Sequence, residues 1–182
     1  MTIDVQRVTV EEFDVLVFTP EYVEREFEYI AGEIVEVVSH PKSSKIGGRF
    51  LRYIGAFVDD NELGHVTGAD GGYHVGNERY MPDVGYISFE RQPELDSEEG
   101  YLPNSPDLAV EVVSPSDSER LLMVKVGNYL AAATVVWVVY PEQEELAEYQ
   151  TGKAVKVYRK NDTITGGDIL NGFSLELNKI FK

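Results

Sequence analysis

The sequence contains no cysteine. That excludes a disulfide framework, a thiolate zinc site and a cysteine nucleophile together. Cations are scarce as well: 16 Lys and Arg stand against 32 Asp and Glu, a formal net charge of −16. A surface of that sign repels nucleic acid at long range and excludes nonspecific binding through a broad basic face. It leaves room for a small site where a bound metal ion reverses the local sign. Long apolar runs are missing too. The longest predominantly apolar stretch, Ala131 to Tyr140, is far too short to cross a bilayer, and its β-branched, aromatic second half reads as a buried strand. The N-terminus, MTIDVQRVTVEEFDV, lacks the basic start and apolar core of a signal peptide, so a cytoplasmic location is expected. No repeat and no low-complexity segment is present, which argues against solenoids and linked domains.

What remains is a chain of 182 residues, 43% of them apolar, with a mean hydropathy of −0.22. The expectation is a single domain over 1–182 that buries its own core. Thr9 followed by Glu11, Glu12 and Phe13 reads as a capped short helix over roughly 9–17. Two alternating runs, Phe27–Ile30 and Glu33–Val38, flank Ala31-Gly32 and read as a β-hairpin. From Ser43 to Asp60, Ile46, Phe50, Tyr53, Ile54, Phe57 and Val58 recur at helical spacing, though Gly47 and Gly48 weaken the first turn. Short strands follow near 64–67, 73–75 and 79–81, then a better one at Val84–Phe89. Residues 90–106 read as a loop. Leu108–Val113 is an apolar strand interrupted by one acid. A helix over about 117–132, the strand Val135–Tyr140 and a hairpin over 146–150 and 154–159 complete the order. The fold class is α/β (α+β): a mixed central sheet flanked by helices, with additional hairpins.

Three carboxylates stand out by position. Glu33 opens the second strand of the first hairpin. Asp83 follows Pro82 just before a strand. Glu111 lies inside an apolar strand, where a charge is costly unless paired or bound to a cation. Carboxylates suit Mg²⁺, which takes one or two protein acids and keeps waters for a phosphate substrate. Lys125, on the next helix, can bring an ammonium to the same point. Each also has an ordinary reading: Glu33 as a solvated hairpin residue, Asp83 as a turn former, Glu111 as an outward acid, Lys125 as a lysine bordering an apolar stripe. The ordered pattern P-D, about thirty residues, E in an apolar strand, then K on the next helix is more specific than its parts.

Other candidates are weaker. His40, His65 and His74 show no metal-ligand spacing. Ser114 and Ser116 lack the context of a nucleophile elbow. Gly71-Gly72 and Gly166-Gly167 read as turns. Glu94, Asp96, Glu98 and Glu99 form an acidic loop without calcium-ligand spacing. No basic residues interleave with the aromatics, so no base-stacking platform is read from them.

Several segments, in order, resemble one family. Phe27-Glu28-Tyr29-Ile30-Ala31-Gly32-Glu33-Ile34 is similar to its "ELIDGE" stretch. Met81-Pro82-Asp83-Val84, Pro106-Asp107-Leu108 through Ser114-Pro115-Ser116, Lys125 with Tyr129, Trp137 through Pro141, and Asn171-Gly172-Phe173-Ser174-Leu175-Glu176-Leu177 follow. On these the chain is identified as a member of the Uma2 family, also called DUF820, of the PD-(D/E)XK nuclease superfamily, over about residues 9–181. The resemblance implies a restriction-endonuclease-like fold and hydrolysis of phosphodiester bonds in DNA with Mg²⁺ or Mn²⁺. Asp83 and Glu111 are then the metal-binding acids and Glu33 a third. The superfamily's usual lysine position holds Val113, and Lys125 on the following helix resembles a migrated equivalent. Asp107, Arg79 and Tyr129 are expected to support the cleft. The chain departs from the family pattern at Leu121, Ser44, Ala132-Ala133-Thr134 and Tyr140, changes that leave the proposed acids and lysine intact and are expected to reduce the support around them. The alternative is a catalytically silent oligomeric scaffold or protein-binding module on the same fold. A dimer through strand 135–140 or the C-terminal segment is the expected assembly.

Overall fold

The computed structural model describes residues 7–38, 40–95 and 100–182. In chain order the elements are α1 (Val10–Leu16), β1 (Phe27–Ile30), β2 (Glu33–Glu36), α2 (Pro41–Asp60), β3 (Gly64–Thr67), β4 (Gly72–Val75), β5 (Glu78–Tyr80), β6 (Val84–Ser88), β7 (Tyr101–Leu102), β8 (Leu108–Val112), α3 (Glu119–Ala131), β9 (Val135–Tyr140), β10 (Glu145–Tyr149), β11 (Lys156–Arg159), β12 (Thr163–Gly166) and β13 (Leu170–Glu176), before a short 3-10 turn. Thr9 caps α1 through a reciprocal capping box with Glu12.

Six strands form the central sheet in the order β11-β10-β9-β8-β6-β3. β8 and β9 run parallel, joined by α3, and the other neighbours are antiparallel. A second sheet of five strands, β2-β1-β5-β4-β7, and the two-stranded β12-β13 complete the topology. The mixed α/β class expected from the sequence is the observed one.

Period-two alternation decides what each face of the central sheet meets. Leu108, Val110 and Val112 of β8 and Val135, Trp137 and Val139 of β9 join the core shared with α2 and β13. Ala109 of β8 and Val136 and Val138 of β9 point the other way, into a core shared with α3 and the five-stranded sheet. Glu111 therefore belongs to the α3 face. The same rule sorts β1: Phe27 and Tyr29 pack beside α1, while Ile30 faces α3 and Glu28 faces with it.

The two sheets meet closely at Gly85. A Cβ there would lie 2.6 Å from the ring of Tyr73, a fully buried side chain. Gly85→Ala is expected to cost about 1–3 kcal/mol through displacement of that ring, read as a lower urea midpoint.

Several expectations change. α2 starts at Pro41, because proline suits the first turn of a helix. α3 is shorter than 117–132, since Ser118 caps it through the Leu121 N–H. The stretch read as a loop contains β7, a two-residue strand on the edge of the second sheet. The chain after 160 adds the hairpin β12-β13, which covers one face of the core. The acidic-loop reading at Glu94 to Glu99 falls largely outside the described residues. Strand Val135–Tyr140 is no dimer surface: β8 and β10 pair with both of its edges and its first five residues are buried. Leu170, Phe173, Leu175, Leu177 and Ile180 are core residues as well. No helix among the described residues is long and apolar enough to cross a membrane.

Candidate active site

The parallel unit β8-α3-β9 leaves a cleft beyond the carboxyl end of β8, the usual ligand position in such sheets. Its volume is about 560 Å³, and Glu28, Asp83, Glu111 and Lys125 line it. Three of the four meet directly. The Lys125 ammonium donates to Glu28 Oε1 at 2.7 Å and to Glu111 Oε2 at 2.8 Å. All three side chains are at least nine-tenths buried. Tyr129, one helical turn after Lys125, donates its hydroxyl to Glu111 Oε1 at 3.0 Å. The backbone N–H of Met81 donates to Glu28 Oε1 at 2.7 Å. Lys125 also lies 5.5 Å from the centre of the Tyr80 ring, whose face attracts a cation.

Asp83 joins from the other side. The Val112 N–H donates to its Oδ2 at 2.7 Å. No described residue donates to its Oδ1. Burial raises its pKa from 3.8 to about 6, against the lowering from that hydrogen bond and from Lys125. Burial also raises Glu111, partly offset by Lys125, and the acids Glu28 and Asp83 raise it further. Lys125 is raised as well: the attraction of Glu111 and Glu28 outweighs the loss of hydration. The directions agree. One ammonium faces three carboxylates, and the cluster carries an excess of negative charge.

The Asp83 shift makes a pH prediction. In the folded chain its carboxyl keeps the proton up to about pH 6, while the unfolded chain releases it near 3.8. Between those values the native state binds more protons, so rising pH lowers stability. Above pH 6 the deficit is complete, about 2–3 kcal/mol. Asp83→Asn is expected to gain that amount on wild type between pH 4 and pH 7 in metal-free denaturant melts. A constant difference across that range would contradict it.

The structure moves one expected site residue away. Glu33 pairs with Arg120 at 2.7 Å and does not line the cleft. It lies opposite Ile30, and Glu28 lies opposite Val35. Glu33 therefore shares the face of Glu28 but sits two residues along, about 7 Å away. The hairpin acid in the cleft is Glu28, which sequence reasoning missed. Its signal was the one that marked Glu111, an acid enclosed by Phe27, Tyr29 and Ile30. Tyr129 supports the site as expected. Arg79 instead makes a two-pronged pair with Asp14 at 2.9 and 2.6 Å. Asp107 receives the Ser88 N–H and faces Arg91. Neither lines the cleft.

Among the described residues no three His, Asp or Glu converge as a ligand set for a metal ion. Two carboxylates are enough for Mg²⁺, which keeps several waters. Asp83 Oδ1 has no donor among the described residues, and each Glu111 oxygen keeps a lone pair beyond its one described donor. A dication would cancel the two charges by which three ionised acids exceed one ammonium. The residues present therefore fit a divalent cation on Asp83 and Glu111.

The serines at the rim do not form a hydrolase triad. Ser114 Oγ donates to Asp117 Oδ1 at 2.6 Å and lies 3.1 Å from Ser116 Oγ, which lies 2.9 Å from His40 Nε2. The acid and the histidine stand at opposite ends of two serines, so among the described residues no acid is seen to orient the imidazole.

A family model described as "Putative restriction endonuclease", Uma2, matches residues 10–178. The chain belongs to the Uma2 family. A crystal structure of a DUF820 "putative nuclease" from Anabaena variabilis ATCC 29413 superposes with a TM-score of 0.83. The two share 20% identity over 96% of this chain and 97% of that one, which establishes a common fold. No curated protein matches the chain. The Uma2 fold seen here is the nuclease-like one expected from the motifs.

Proposed function

We propose that this Uma2 protein is a metal-dependent endonuclease that hydrolyses phosphodiester bonds in DNA. The observation that carries the reading is the buried ion pair Lys125–Glu111 beside Asp83 in an open cleft. A buried charge cluster with surplus acid is poor design for stability alone and is common where chemistry needs shifted groups. Asp83 and Glu111 are the residues that hold Mg²⁺ or Mn²⁺. When bound, the ion withdraws charge from the scissile phosphate and activates water.

The remaining work falls to the chain's own residues. Lys125 keeps its proton under the pull of two acids and presents an ammonium to the negative charge that develops on phosphate oxygens. Glu28 is a positioning residue: it holds Lys125 on one side and the backbone before Asp83 on the other. Tyr129 fixes the rotamer of Glu111. The acidic exterior makes approach to a polyanion slow at low salt.

A second reading rests on one specific observation. Both Glu111 oxygens already accept from Lys125 and Tyr129, so the cluster is satisfied without a metal, as in a silent scaffold on the same fold. Plasmid nicking separates the two. Wild type nicks supercoiled DNA with Mg²⁺ or Mn²⁺ and stops with chelator under the first reading. Under the second, wild type and Glu111→Gln show the same background.

A further inference from the structure

Helix α2 begins at the cleft, where His40 and Ser43 are lining residues. Its N-cap, His40, makes no side-chain capping bond, Pro41 follows, and the first turn has no acid. A helix of 20 residues that starts this way leaves backbone N–H groups and the positive end of its dipole without a local partner.

Ser43 supplies an independent observation. It is 7% exposed, yet its hydroxyl has no hydrogen-bond partner among the described residues. Fully buried side-chain oxygens among the described residues all have partners. The Ser43 oxygen is thus one that reaches open space, and the space beside it is the cleft. One turn later comes Gly47, where a Cβ would stand 3.5 Å from the Cβ of Asp83. Ser43 is therefore about 5–6 Å along the helix from the point nearest the proposed metal acid.

The rim completes the corner. Asp117 takes the Ser114 hydroxyl on Oδ1 and the Ser114 N–H on Oδ2. Ser114 then accepts from Ser116, and Ser116 accepts from His40 Nε2. That polarity spends the His40 Nε2–H on Ser116. Asp117, the nearby acid, has both oxygens engaged.

We infer that the first turn of α2 and the Ser43 hydroxyl bind a phosphate group of the substrate strand, next to the phosphate held at Asp83 and Glu111. The identity of the strand rests on the function proposed above. The anion site itself stands on the helix end and the unpartnered serine. It gives an acidic protein a local grip on a polyanion that needs no basic face.

The test is a titration of ¹⁵N-labelled protein with inorganic phosphate in chelator, where no cleavage occurs. Backbone amides of 42–44 are expected to shift and saturate. Ser43→Ala is expected to weaken binding about tenfold, as for loss of one hydrogen bond to an anion, with its melting temperature unchanged. Glu33→Gln, outside the cleft, is expected to bind as wild type does. Absence of saturable shifts at 42–44, or equal affinity in Ser43→Ala, overturns the site. Phosphate binding with no nicking by wild type leaves this site standing and removes the hydrolase reading instead.

Discussion

Glu111→Gln is expected to reduce Mg²⁺-dependent nicking by about 10²–10³-fold while the protein stays folded. Glutamine keeps the shape and an acceptor for Tyr129, and it removes one negative charge from a cluster that has too many. Lys125 retains Glu28 as its partner, so no buried charge is left alone. The loss then reports on the reaction. Glu33→Gln makes the contrast: Glu33 pairs with an arginine that is mostly exposed, and activity is expected to stay within about twofold of wild type. Equal losses in the two variants would mean that the wrong acids have been assigned.

Lys125→Met has the larger expected effect on folding. It leaves Glu28 and Glu111 buried and Asp83 nearby, with no cation among the described lining residues. Breaking a buried pair on one side costs about 3–5 kcal/mol, because the orphaned charge must be buried or neutralised. Burial already raises Glu111 and Asp83, and removing the ammonium raises them further. The deficit is therefore largest at neutral pH and shrinks as the pH falls and the acids take up protons. The double variant Lys125→Met/Glu111→Gln is expected to recover part of the loss, since it removes one of the stranded charges. Denaturant melts at pH 5 and pH 7.5 read both effects. A pH-independent loss, or none, would mean that Lys125 contributes packing alone.

How much of this could be read from the residues depends on distance along the chain. Glu111 was legible because its strand is apolar on both faces, so the acid had nowhere ordinary to go. Lys125 and Tyr129 were legible as one helical face. Glu28 carried the same sign, an acid between Phe27 and Tyr29, but a short hairpin strand commonly has one wet face. Only the packing of the second sheet over α3 turns that face inward, and no local pattern encodes it. Glu33 looked equivalent because it lies on the same face. Two residues of strand separate the cleft from the partner that Arg120 provides.

The helices and the central strands were legible from period alone. β7 was not, since a two-residue strand has no period and exists by pairing with β4. The hairpin β12-β13 was hidden because Thr163-Ile164-Thr165-Gly166 is too short to distinguish from a turn, and its register shifts at Thr165/Gly166. The expectation that strand 135–140 offers a dimer surface failed for an instructive reason. A run of β-branched and aromatic residues marks a strand buried on both faces, and β9 is buried inside its own molecule rather than against another.

The central claim is that Asp83 and Glu111 together hold a divalent cation. Calorimetric titration of Mn²⁺ into wild type, Asp83→Asn, Glu111→Gln and Glu33→Gln at neutral pH tests it most directly. The account predicts one saturable site in wild type and in Glu33→Gln, and its loss in both of the other variants. A site of equal affinity in all four proteins, or no site in wild type, would contradict it.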